Sequence, residues 1–201
     1  MVVLDALLAC GVPIEGILDP AVAVGVLRLG IPVVGGDEVL DGLDPGEVVL
    51  ANGVGATPFA ESRMAVHNRF KNKGFDFVTV VHPGAIVGRS VQMGEGCQLM
   101  AGAILQPGVR LGDGVVVNTH SSIDHDSLLA DHVFVSPGVT LCGGVVVEGE
   151  AFIGAGATVL PSVKIGAKSV VAAGSVVIRP VPPEVVVAGN PAREMKRRLG
   201  Q

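Results

Sequence analysis

The residues with reactive side chains concentrate in one stretch, NTHSSIDHDSLLADHVFVSPGVTLCGGV, residues 118–145. It holds His120, His125 and His132, the acids Asp124 and Asp126 on either side of His125, and Cys142 beside Gly143. An imidazole titrates near neutrality, so a histidine whose second ring nitrogen is held by a carboxylate is suited to general-base work. Asp126 can accept that ring N–H, with Asp124 as the competing candidate. His120 and His125, five residues apart, could instead supply two ligands of a three-histidine zinc site. Cys142 is a conceivable nucleophile, but no base is placed to activate it. The elements that carry these side chains decide among these chemistries.

From Val81 to Val177 every sixth residue is aliphatic, without a miss or an insertion. A companion series, two residues earlier and beginning at Ala85, is small or β-branched throughout, for example Val91, Cys97, Ala103 and Val109. Residues two apart on a strand face the same side, so each pair points inward with an outward residue between them. The other positions are rich in Gly, Pro, Asp, Asn and Ser, which suit corners. Six residues then make one flat side, and three sides close a triangular coil of about eighteen residues, a β-solenoid. With 29 glycines, 3% aromatics and neither Trp nor Tyr, the composition fits so narrow an interior.

On this frame His120, His125 and His132 are corner residues on three different edges, so they cannot cluster within one subunit. A coil further on from His125 stands Gly143, on the same edge, with adjacent strands about 4.8 Å apart. Glycine there leaves room beside the imidazole and lets a backbone N–H face it.

Residues 1–80 read differently. A helix over residues 2–10 closed by Gly11, strands at Ile14–Leu18, Ile31–Val34 and Val48–Ala51, and a helix from Thr57-Pro58 to about Asn72 predict a small parallel α/β lobe. Phe75–Val80 feeds the first coil. The net charge of −5 makes no case for nucleic acid. No apolar run of about 18 residues offers a membrane span. Three scattered cysteines and no secretion signal point to a reduced, cytoplasmic protein.

An α/β lobe at 1–80 followed by a hexapeptide solenoid with a tail at 81–201 resembles the hexapeptide-repeat sugar O- and N-acetyltransferases, which include sialic acid and nucleotide-aminosugar enzymes. The resemblance implies a left-handed parallel β-helix, a homotrimer, acetyl-CoA as donor, and an incomplete Rossmann-like lobe that binds the acceptor. It assigns the His–acid pair to His125 and Asp126, and the oxyanion donor to Gly143. Phe134, Gly143, Ala155 and Ala173 fall on the acetyl-CoA side, while Asp19 and Gly53 match acceptor-binding turns. Two departures stand out: the family's opening strand and Gly-rich turn are absent, and Phe134 stands where a second histidine is frequent. AGNPAREMKRR resembles the family's closing segment; its Arg193, Lys196, Arg197 and Arg198 could meet CoA phosphates or form a solvated tail. Lys164, at an outward strand position, has no assigned role.

The expected chemistry is direct acetyl transfer to a sugar or nucleotide-aminosugar, with His125 as base and no metal. The alternatives are a zinc enzyme like the γ-class carbonic anhydrases, or a non-catalytic assembly subunit. The zinc reading needs a third histidine at position 84, where the chain has Gly84, with His82 out of register.

Overall fold

The structure, a computed structural model, describes residues 1–58 and 62–195. Lys196, Arg197 and Arg198, and residues 59–61 of the predicted second helix, lie outside the described residues; Thr57 and Pro58, its predicted start, are not helical.

Helix α1 (Val2–Ala9) ends at Gly11, whose φ of +68° gives the left-handed turn that glycine adopts at low cost. It lays Ala6 and Leu7 on Val80 and Met100, so it packs against the first solenoid coils. Strand β1 (Ile17–Leu18) runs parallel to β3 (Ile31–Gly35), and β2 (Leu27–Arg28) pairs antiparallel with the other edge of β3. This hairpin was not anticipated from the sequence. Its turn residues Leu29 and Gly30 both have positive φ, the geometry of a tight hairpin, but exposed Val24, Leu27 and Leu29 hide the polar signal that usually marks one.

After a 3₁₀ turn at Asp37–Gly42, β4 (Val49–Leu50), α2 (Ser62–Lys71) and β5 (Asp76–Phe77) form a parallel βαβ unit. Leu40, Phe70, Phe75 and Phe77 fill its core. The lobe is therefore mixed where the alternation of elements predicted a parallel sheet.

Seventeen two-residue strands follow, from Val80–Val81 to Val176–Val177. All but the last three pair in parallel with the strand eighteen residues on, as Ile104 with Ser122, Thr140, Thr158 and Val176 show in turn. The result is a left-handed parallel β-helix of three sheets. The second residue of every strand belongs to the aliphatic series, and from Leu99 to Val177 all are buried. Each such side chain contributes about 1.5–3 kcal/mol on burial.

The companion series from Cys97 to Ser175 is buried too. Its serines stay satisfied: Ser121 donates to the Ser136 carbonyl at 2.8 Å, and Ser127 to that of Cys142 at 3.2 Å. Every sixth residue from Ser90 to Gly174 has positive φ, so each corner turns through one left-handed residue. The period slips at the prolines after Arg179. Val186 and Val187 pair with Val170 and Val171, sixteen residues back, and a hairpin of Val186–Gly189 with Ala192–Glu194 follows.

Candidate active site

His125 sits at the corner between strands Ser122–Ile123 and Leu128–Leu129. The two neighbouring acids have distinct jobs. Asp124 Oδ1 accepts the backbone N–H of His125 at 2.8 Å and so braces the turn. Asp126, the left-handed residue of the corner (φ +57°), swings its carboxylate back to His125, with Oδ2 at 3.0 Å from Nδ1. Nδ1 is thereby the protonated nitrogen, and Nε2 is left as the basic one. The Asp126 hydrogen bond, and then the charge of Asp124, raise the proton affinity of His125 above that of an ordinary imidazole.

Nε2 faces Gly143. A β-carbon placed on Gly143 would come within 2.5 Å of Nε2, so only glycine accommodates the ring where it lies. The neighbouring Gly144 N–H donates to the His125 carbonyl at 2.8 Å, tying the two coils together at this edge. Among the described residues no protein acceptor takes the Gly143 N–H. The His125 side chain is 63% exposed in the protomer, so nothing in this subunit encloses it.

The other two histidines lie on different edges. The His120 ring packs over Gly102. His132 packs over Gly114 and meets His67 of α2 edge to face, with ring centroids 5.0 Å apart; His67 in turn stacks on Phe77 at 4.3 Å. Burial first, then the neighbouring imidazole, holds His67 below the usual histidine value, and burial does the same for His132. Among the described residues no cluster of three or more His, Cys, Asp or Glu side chains could hold a metal ion.

The next edge carries an open groove of about 660 Å³. Phe134, Ala155 and Ala173 line it, together with Phe152 and with Ala56 and Pro58 from the loop between β4 and α2. Phe134 and Phe152, paired across adjacent coils, stack in parallel with centroids 5.4 Å apart. No ionisable residue is among the lining. Phe152 and the lip residues were not singled out from the sequence; Phe152 was recoverable because it lies one coil from Phe134, whereas the lip depends on how the lobe sits.

Thus His125, Asp126 and Gly143 share one edge, and Ala155 and Ala173 the next, with Phe134 on the flat side that runs into it. Gly53 opens the loop that reaches the groove's lip. Asp19 accepts the Ala21 N–H at 3.0 Å in a lobe turn and is not part of the groove lining. Lys164 pairs with Glu148 at 2.6 Å. Arg193 is exposed and donates to the Ala192 carbonyl at 2.9 Å. Cys142 is a partly buried free thiol, and its carbonyl accepts the Ser127 hydroxyl at 3.2 Å.

A solenoid of this kind, with a His–Asp pair at a corner and an apolar groove on the next edge, defines the hexapeptide-repeat acyltransferase class. No protein-family profile matches the chain, and no curated protein matches it. Solved structures do. PerB from Caulobacter crescentus, crystallised with CoA and GDP-perosamine, is 38% identical over 97% of this chain and 91% of its own, with a TM-score of 0.84. The acetyltransferase domain of PglB from Neisseria gonorrhoeae, crystallised with acetyl coenzyme A, is 33% identical over 96% and 93%, with a TM-score of 0.88. WeeI from Acinetobacter baumannii is 25% identical over 90% and 85%, with a TM-score of 0.75. The chain belongs to the hexapeptide-repeat sugar acetyltransferase family.

Proposed function

We propose that this protein transfers the acetyl group of acetyl-CoA to the amine of a nucleotide-linked amino sugar, working as a homotrimer whose sites lie between subunits. The observation that carries the reading is the His125–Asp126 pair with its free nitrogen turned to Gly143. In this mechanism the neutral amine attacks the thioester carbonyl while Nε2 of His125 takes its proton. The Gly143 N–H stabilises the oxyanion that develops. As the intermediate collapses, the carbon–sulfur bond breaks and the CoA sulfur recovers the proton from the imidazolium. No acyl-enzyme forms. Asp126 keeps the base in one tautomer and stabilises its protonated form.

Two further features support the reading. The uncharged groove with Phe134, Ala155 and Ala173 suits a neutral pantetheine arm and leaves the CoA phosphates to solvent or to basic residues beyond it. His125 and that groove lie on different edges of one protomer, which fits a site closed by a neighbouring copy bringing its own groove to the exposed imidazole. The CoA and GDP-perosamine held by the Caulobacter enzyme, and the crystallisation of its histidine-replaced variants with both, support the same pairing of donor and acceptor. Three unpaired thiols and the need for acetyl-CoA fit a cytoplasmic enzyme. Asp19 and Gly53 would serve the acceptor from the lobe.

The test follows CoA thiol release with GDP-perosamine, other nucleotide-linked amino sugars and free sugars as acceptors. Wild type should acetylate at least one nucleotide-linked amine, and His125→Ala should lose about 10²–10⁴-fold in kcat. Turnover undiminished in His125→Ala, or none with any amine, would overturn the reading.

A further inference from the structure

The lip of the groove is held by a buried polar network that joins three elements. Gln98 occupies an outward strand position of the solenoid, where a side chain normally meets solvent, yet it is 1% exposed. Its Nε2 donates to the Asn52 carbonyl at 2.8 Å. Arg63, in the first turn of α2, donates from Nη1 to the same oxygen at 2.9 Å and to the Val54 carbonyl at 2.8 Å. Asn52, itself buried, closes the knot. Its Nδ2 donates to the Arg63 carbonyl at 2.9 Å and its Oδ1 accepts the Val54 N–H at 3.1 Å.

Burial pushes the Arg63 guanidinium down to about 10. A cation drawn this far from water is costly unless its donors are used, and here Nη1 spends two hydrogen bonds on the loop backbone. At Gly53 and Gly55 the loop stands clear of its surroundings: a β-carbon built on either would touch nothing within 4 Å among the described residues. The same loop then delivers Ala56 and Pro58 to the groove.

We propose that Arg63 is a positioning residue which, through Asn52 and Gln98, registers loop 52–58 against the solenoid so that its lip, Ala56 and Pro58, closes the groove that takes the acetyl-CoA arm. This rests on the acetyltransferase reading above. Arg63 touches neither donor nor acceptor; it acts through the loop. Losing it should therefore weaken donor binding, because Ala56 and Pro58 line the same groove as Phe134, Ala155 and Ala173.

Two measurements test this, and only one depends on the reaction. In hydrogen–deuterium exchange on the full unliganded protein, Arg63→Ala should lose protection at residues 52–58 while the solenoid amides keep theirs. Gln98→Leu, which removes one bond and leaves α2 intact, should do so to a smaller degree. With GDP-perosamine as acceptor, Arg63→Ala should raise the acetyl-CoA KM on the order of tenfold with an unchanged acceptor KM. Arg63→Lys, which keeps the charge and some of the bonding, should recover part of the loss. Unchanged exchange at 52–58 in both variants, or a parallel rise in both KM values, would overturn the assignment. If wild type transfers no acetyl group, the acetyltransferase reading fails by itself, and the exchange measurement still decides whether Arg63 holds the loop.

Discussion

The imidazole of His125 rests against the backbone of Gly143 one coil away, closely enough that a methyl group on Gly143 would meet Nε2 at 2.5 Å. The backbone of Gly143 is not in the left-handed region, so alanine there carries no φ penalty. The clash is with an exposed ring that can swing outward. Gly143→Ala should therefore leave the melting temperature nearly unchanged while it displaces the base and crowds the oxyanion donor. A fall in kcat of about 10²–10³-fold is expected from steady-state thiol release. A variant as active as wild type would separate Gly143 from the chemistry.

Asp126 offers a test through pH. Its hydrogen bond, followed by the charge of Asp124, raises the pKa of His125, so the active neutral imidazole is lost on acidification at a higher pH than for a free histidine. Asp126→Asn removes the largest cause and suits the left-handed backbone, which asparagine tolerates. The acid limb of kcat/KM should move to lower pH, with a slower plateau because the base is no longer held in one tautomer. An acid limb that stays in place would mean another group controls it.

The solenoid was legible in the sequence because its interior admits only small aliphatic side chains, so Val81 to Val177 had to repeat with the backbone. The stacking of His125 on Gly143 followed from the same arithmetic, but the arithmetic alone is not selective. His120 with Gly102, and His132 with Gly114, are also glycine pairs one coil apart, and those rings pack over the preceding coil while His125 turns to the following one. Side-chain direction at a corner is not written in a period. Nor was the contact of His67 with His132, or the lip formed by Ala56 and Pro58, since each depends on how the lobe docks. Asp124 and Asp126 could not be told apart until the left-handed turn at Asp126 aimed its carboxylate at Nδ1.

The His67–His132 contact ties the stability of the lobe to pH. Burial first, and for His67 then the neighbouring imidazole, holds both groups below their ordinary value. The unfolded chain therefore takes up protons at a pH where the folded chain does not, and stability must fall as pH drops through and below the normal histidine range. Glu95 and Asp113 near His67, and Asp131, Glu150 and Asp113 near His132, oppose the shift; Lys71 and Arg63 reinforce it. Melting temperatures from about pH 7.5 to about pH 5 should decline in wild type. The decline should be shallower in His67→Phe, which keeps a ring stacked on Phe77 without the titrating nitrogen. Parallel curves would assign the acid sensitivity elsewhere.

The separation of base and groove within a protomer leads to a complementation experiment. His125→Ala removes the base from its edge, and Ala155→Trp fills the groove on the next edge. Each variant alone should be inactive as a homotrimer, with Ala155→Trp losing the thermal shift that CoA gives wild type. In a site built from one subunit's imidazole and its neighbour's groove, a mixed trimer pairs an intact His125 with an intact groove at some interfaces. Co-refolding equal amounts should restore about a quarter of wild-type activity by random assortment around a threefold ring. A site wholly within one subunit would restore none, because every chain in the mixture carries one of the two lesions. Light scattering on the same samples reads the trimer directly, and a monomeric protein would remove the neighbour that this mechanism requires.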